Sequence, residues 1–195
     1  MAGQRTDRDR AVTVAEDDYR DKSPAAGRVG KAIEYLVAAS CILVTGGKLN
    51  VSTSLVDDEG VDLVFHCRGG TATLAVQVKG RTSSSKQVAS GGFVGFVRSQ
   101  TFAPRADLDM LFVAVDVEKA AVMHAWLVPS LEYAETLGEP NRKGRYRFSA
   151  SAKPDSADQW RSYRLTAAEL PRRILTRLGE LDSAHSCERA AGARR

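Results

Sequence analysis

The feature that most constrains this chain is a pair of apolar runs separated by Gly69-Gly70, inside the stretch DDEGVDLVFHCRGGTATLAVQVKGR from Asp57 to Arg81. Val61–Cys67 and Thr71–Val78 are rich in β-branched and other apolar residues, and paired glycines suit the positive φ values of a two-residue hairpin turn. With those glycines as the loop, Arg68 faces Thr71 and Asp62 faces Gln77. Opposed side chains on one face of such a pair have Cβ atoms about 4.5–5.5 Å apart. The two-residue alternation of a strand puts Lys79 on the same face as Gln77 and turns Val76 and Val78 toward the other. Three polar groups therefore gather at one end of the hairpin while its opposite face joins a core. A slip of one residue would reverse every side chain.

Around the hairpin, Val29, Ile33, Leu36, Val37 and Ile42 recur at helical spacing and predict a helix from Ala25 to about Val44, ended by Gly46-Gly47. Glu34 lies beside its apolar stripe. Leu49–Val56 is expected to be a strand running into the acidic turn Asp57–Gly60. Residues 80–92, rich in Ser, Gly and Lys, predict a mobile loop beside the polar end of the hairpin, and Phe93–Val97 a short strand. Met110–Val117 and Val122–Val128 predict paired strands of a sheet interior. Ser130 is placed to cap a short helix through Leu137. Arg145–Ser151 alternates arginines with Tyr146 and Phe148, and a last helix is expected over Pro171–Leu181. The resulting organisation is a disordered arm over 1–24, one domain over 25–182, and a basic disordered tail over 183–195.

The 195 residues, 43% of them hydrophobic, suffice for one sizeable core. No run of about 18 apolar residues is present, and the start MAGQRTDRDR lacks the pattern of a signal peptide, so the expected compartment is the cytoplasm. Cys41, Cys67 and Cys187 show no CxxC spacing, which argues against a zinc site or a disulfide framework. The net charge of +4 is uneven: residues 138–195 carry 13 Lys+Arg against 7 Asp+Glu. That excess fits a phosphate-facing surface or, equally, a solvated arginine-rich coat.

Chemically, an aspartate beside an amide oxygen offers hard donors suited to Mg²⁺ or Mn²⁺. A lysine two residues further can hold a water by hydrogen bond and stabilise charge on a phosphate oxygen. Glu34, the acidic residue inside the first helix, could complete the donor set. Arg81, Lys86 and the serines of the following loop are candidates for phosphate contact. Asp58 is either an ordinary turn aspartate or a second carboxylate for the same site. The same pattern also describes an edge hairpin with a solvated polar end.

The order helix with Glu34, strand, Gly60-Val61-Asp62-Leu63-Val64, then Ala75-Val76-Gln77-Val78-Lys79 resembles the PD-(D/E)XK nuclease superfamily, over about residues 27–128. The resemblance implies an α/β fold of the restriction-endonuclease-like type, an αβββαβ core with a mixed central sheet flanked by helices, here with a C-terminal extension. It implies a metal-dependent nuclease acting on nucleic acid, DNA foremost, with Asp62 as metal-binding Asp, Gln77 at the Asp/Glu position, Lys79 as the Lys and Glu34 as the helix acid. Mg²⁺ or Mn²⁺ is the implied cofactor, and a homodimer is compatible with it. Gln77 departs from the family pattern by being neutral. An amide oxygen still ligates, but the ion sees one negative charge fewer. The alternative is a nuclease-like fold without chemistry, retained for binding nucleic acid or protein.

Overall fold

The structure is a computed structural model that describes residues 24–53 and 60–192, with side chains through residue 184. In chain order its elements are helix α1 (Pro24–Val44), strands β1 (Leu49–Thr53), β2 (Leu63–Cys67) and β3 (Thr73–Thr82), helix α2 (Lys86–Ala89), strands β4 (Gly92–Arg98), β5 (Leu108–Asp116) and β6 (Ala121–Pro129), helix α3 (Ser130–Glu135), strand β7 (Arg145–Ser151), a 3₁₀ turn (Arg161–Tyr163), strand β8 (Arg164–Leu165) and helix α4 (Glu169–Gly192). The chain divides after Ala32. Residues 24–32 are the largely exposed first turns of α1, and the folded body begins at Ile33. The arm expected over residues 1–24 falls, but for Pro24, outside the described residues, as does the acidic turn with Asp57 and Asp58.

α1 buries Ile33, Glu34, Val37 and Cys41, a stripe one residue wide per turn. Burial in that stripe pushes the Cys41 thiol up to about 12, so it stays protonated and acts as a small apolar side chain. The helix ends at Gly46 (φ 59) and Gly47 (φ 76), whose N–H groups donate to Leu43 O at 3.1 Å and Ile42 O at 2.9 Å. These are the two bonds of a Schellman closure.

Six strands form a mixed sheet in the order β1-β2-β3-β5-β6-β8, antiparallel except for the parallel pair β3-β5. The β2-β3 register runs from Leu63 opposite Val76 to His66 opposite Thr73, the register the sequence predicts. The connecting turn differs. Gly70 N–H donates to Cys67 O at 3.0 Å and Gly69 alone of the pair has positive φ (82), which fits a type II turn and not a primed one. Asp182 of α4 then fastens the loop by accepting from Thr71 N, Thr71 Oγ1 (2.8 Å) and Ala72 N (2.8 Å).

The sheet is covered on both faces, so β5 is buried at every position but its last, Asp116. Leu111, Val113 and Val115 join Val76, Val78 and Phe65 under α1 and α4, whose Ile33, Val37, Ile174 and Leu178 complete that core. Met110, Phe112 and Ala114 face the other way, toward Phe93, Val97 and Phe148 of a two-stranded antiparallel ribbon, β4-β7. There Phe112 and Phe148 stack with ring centroids 3.6 Å apart. The helix-side core is clamped by a buried ion pair. Asp109, fully buried at the start of β5, accepts from Arg177 Nε and Nη2 of α4, both at 3.0 Å.

Several expectations are corrected. The crossover from β3 to β5 carries the four-residue helix α2 and strand β4, where an αβββαβ core would have a full helix. The run 80–92 is thus the end of β3, a capped helical turn and a strand start, with Ser85 Oγ accepting from Val88 N. Ser130 caps nothing: the residue before α3 is Pro129, and Ser130 Oγ instead donates to Arg105 O and accepts from Arg105 N. The last helix begins at Glu169 and continues to Gly192, so residues 183–192 of the expected tail are helical. No helix of the described residues is long and apolar enough to cross a membrane.

Candidate active site

β2 and β3 separate at Asp62. Asp62 N–H still donates to Val76 O at 3.0 Å, but β3 runs on to Thr82 and, among the described residues, no strand pairs with that edge beyond Val76. A bare β edge leaves N–H and C=O groups to be satisfied by other means. The Asp62 carboxylate does this at the first exposed position, Oδ2 accepting from Val78 N at 2.7 Å. That bond holds the half-buried carboxylate in the fork between the strands.

Gln77, the residue before Val78, is 6% exposed. Gly60 lies against its amide: a Cβ on Gly60 would sit 2.5 Å from Gln77 Nε2 and 3.4 Å from Thr101 O. With φ of 68 as well, a side chain at position 60 would strain the backbone and displace the Gln77 amide. The Gln77 amide and the Thr101 carbonyl thus both lie against Gly60.

Lys79 follows on the same face and is half-buried. Parallel register pairs Gln77 with Met110 and Lys79 with Phe112, which places both on the ribbon side of the sheet. Glu34 comes from the other side. It is 9% exposed and follows Ile33, whose Cδ1 would lie 2.6 Å from a Cβ on Gly80. The absent side chain of Gly80 lets α1 sit directly on β3, one residue past Lys79. Gln77 and Lys79 therefore share the ribbon-side face of β3 with the Asp62 carboxylate at its edge, whereas Glu34 belongs to α1 on the opposite, helical side.

The flanking basic residues separate in role. Arg81 Nε donates to Val94 O at 3.1 Å and Nη1 to Gly80 O at 3.3 Å, so its guanidinium ties β3 to β4. Lys86 opens α2 and is exposed. Sequence reasoning identified the polar residues but missed Gly60, Thr101 and the Val78 N–H. Only the glycine carried a local signal, its place between an acidic turn and Asp62.

The donors at the fork are all oxygen, with no soft ligand. Among the described residues no three His, Cys, Asp or Glu side chains gather as a metal site, so an ion here would be held by carboxylate, amide oxygen and water together. Such a set suits a hard divalent cation that keeps several waters.

No protein-family model and no curated protein matches the chain. Among solved structures it is similar to the bacterial homing endonuclease I-Ssp6803I, with a TM-score of 0.51 and 21% identity over 83% of this chain and 98% of that one. At that identity the likeness concerns the fold.

Proposed function

We propose that this chain hydrolyses phosphodiester bonds in nucleic acid, DNA foremost, at the fork between β2 and β3. The observation that carries this reading is the geometry at the fork: Gln77 and Lys79 lie on one face of β3, and the Asp62 carboxylate, one residue before β2, accepts from the N–H of Val78 between them. The fold it shares with a homing endonuclease supports it. In this reading Asp62, Gln77 and Glu34 hold Mg²⁺ or Mn²⁺, and Gln77 presents its amide oxygen. The ion when bound supplies Lewis acidity toward the scissile phosphate and acidifies a water. Lys79 orients that water and offsets charge on a non-bridging oxygen. The Val78 N–H keeps the Asp62 carboxylate in one rotamer, so little reorganisation accompanies the reaction. The arrangement fits the PD-(D/E)XK pattern with Gln at the second acidic place.

The test is incubation of plasmid and linear DNA with Mg²⁺ or Mn²⁺ and the wild-type protein, Asp62→Ala or Lys79→Ala. Cleavage by the wild type and loss in both variants is expected. Equal cleavage by all three, or none by the wild type, overturns the reading.

A second reading has its own observation. The Asp62 carboxylate caps a backbone N–H and Gln77 is buried against Gly60, which are structural duties that need no ion. A binding module without chemistry would show salt-sensitive DNA binding that survives Lys79→Ala and ignores divalent ions.

A further inference from the structure

We propose that the outer face of the β4-β7 ribbon seats duplex DNA and delivers it to the fork. This rests on the proposed reading for its ligand but concerns residues that reading does not use. The ribbon register pairs Arg98 with Arg145, Phe96 with Arg147 and Val94 with Ser149, all on one face. The alternate pairs, Phe93 with Ala150 and Gly95 with Phe148, turn inward to the aromatic core. Arg98 and Arg147 are exposed, and Arg145 is half-exposed beside them. Residues 92–98 and 142–151 hold five cations, Arg98, Arg142, Lys143, Arg145 and Arg147, and no carboxylate. The basic excess of the C-terminal third is thus partly concentrated on one ribbon face.

That face is tied to the fork at two points. Arg81 of β3 donates to Val94 O of β4, and Thr101, three residues after Arg98, has its carbonyl against Gly60 beside Gln77. From Val94 to Thr101 the chain therefore passes alongside β3 from Arg81 back to Gln77, with Lys79 between. A polyanion lying along Arg98, Arg145 and Arg147 is led to Lys79. A two-stranded ribbon is also one of the two elements that the major groove of B-DNA admits. Charge complementarity and shape both favour a duplex over an acidic protein.

The experiment is a salt series of equilibrium binding, by fluorescence anisotropy in EDTA, of a short blunt DNA duplex to the wild type, Arg98→Ala/Arg147→Ala, Arg98→Lys/Arg147→Lys and Asp62→Ala. Each lost phosphate contact lowers the slope of log affinity against log salt by about 0.9, so the double alanine variant should lose about two units of slope and about tenfold or more in affinity. The lysine variant should keep most of both, and Asp62→Ala, which removes no phosphate contact, should keep the wild-type salt slope. Unchanged slope and affinity in the double alanine variant, or no duplex binding by the wild type, overturns the proposal. Cleavage assayed on the same proteins separates the two ideas. A wild type that cleaves while the double alanine variant binds normally removes the ribbon and keeps the fork. A wild type that binds through the ribbon but never cleaves does the reverse. Thermal melting confirms that the variants, altered at surface positions, are folded.

Discussion

At the scale of single residues, the fork depends on what is missing from position 60 as much as on the polar groups. Gly60→Ala adds a Cβ into the Gln77 amide and strains a backbone at φ 68. The expected loss is on the order of 1–3 kcal/mol in urea unfolding, together with impaired cleavage. Gly69→Ala has similar backbone strain (φ 82) but nothing within 4 Å of the new Cβ. It should cost less and leave activity intact. Equal effects would show that the contact with Gln77 matters little. The β2-β3 register was legible in the sequence because alternation and register are local rules. The approach of Thr101 to Gly60 was not, since it joins residues about forty positions apart through a fold that no local rule describes.

At the scale of elements, α4 is held to the sheet by a charge pair that only the three-dimensional arrangement creates. Burial raises the Asp109 carboxyl above its usual range, and the Arg177 guanidinium beside it opposes that rise. Arg177 itself is drawn down by burial yet held above its ordinary value by bonds to Asp109 and Glu180. Arg177→Ala leaves a fully buried carboxylate without its partner and should cost about 3–5 kcal/mol, whereas Asp109→Leu/Arg177→Leu should be far milder. Chemical denaturation of the two variants checks this. An equal loss in both would mean that the pair contributes by attraction and not by compensating a buried charge. Sequence periodicity identified α1, β5, β6 and the β2-β3 hairpin because each is locally patterned. It placed β4 as a strand and the alternation over Arg145–Ser151 but not the two as one ribbon, because Arg98 and Arg145 pair across nearly fifty residues. It ended the last helix early because beyond Leu181 the apolar spacing stops while helical backbone continues.

At the scale of the whole molecule, two cores on opposite faces of one sheet hold the fork between a helical layer and the ribbon. Acid should loosen both layers. Burial alone would raise Asp158 and Glu180. Bonds from Ser156 Oγ, Ser151 N and Trp160 N to Asp158, and from Arg177 and Arg173 to Glu180, outweigh it and hold both below the ordinary carboxylate value. A depressed folded pKa contributes stability above the unfolded pKa that is lost as pH falls through the folded one. Melting temperature should therefore drop on acidification below the usual carboxylate range, and less steeply in Asp158→Asn. The same slope in the variant would exclude Asp158 as a contributor.

The proposed sharing of one ion by Asp62 and Gln77 is tested most directly by the Mn²⁺ dependence of plasmid nicking in the wild type, Asp62→Ala and Gln77→Glu. A second carboxylate in place of the amide adds a negative ligand, so Gln77→Glu should reach half-maximal rate at about tenfold lower Mn²⁺, and Asp62→Ala should not nick at any concentration. One Mn²⁺ dependence common to all three proteins would contradict a metal site at the fork.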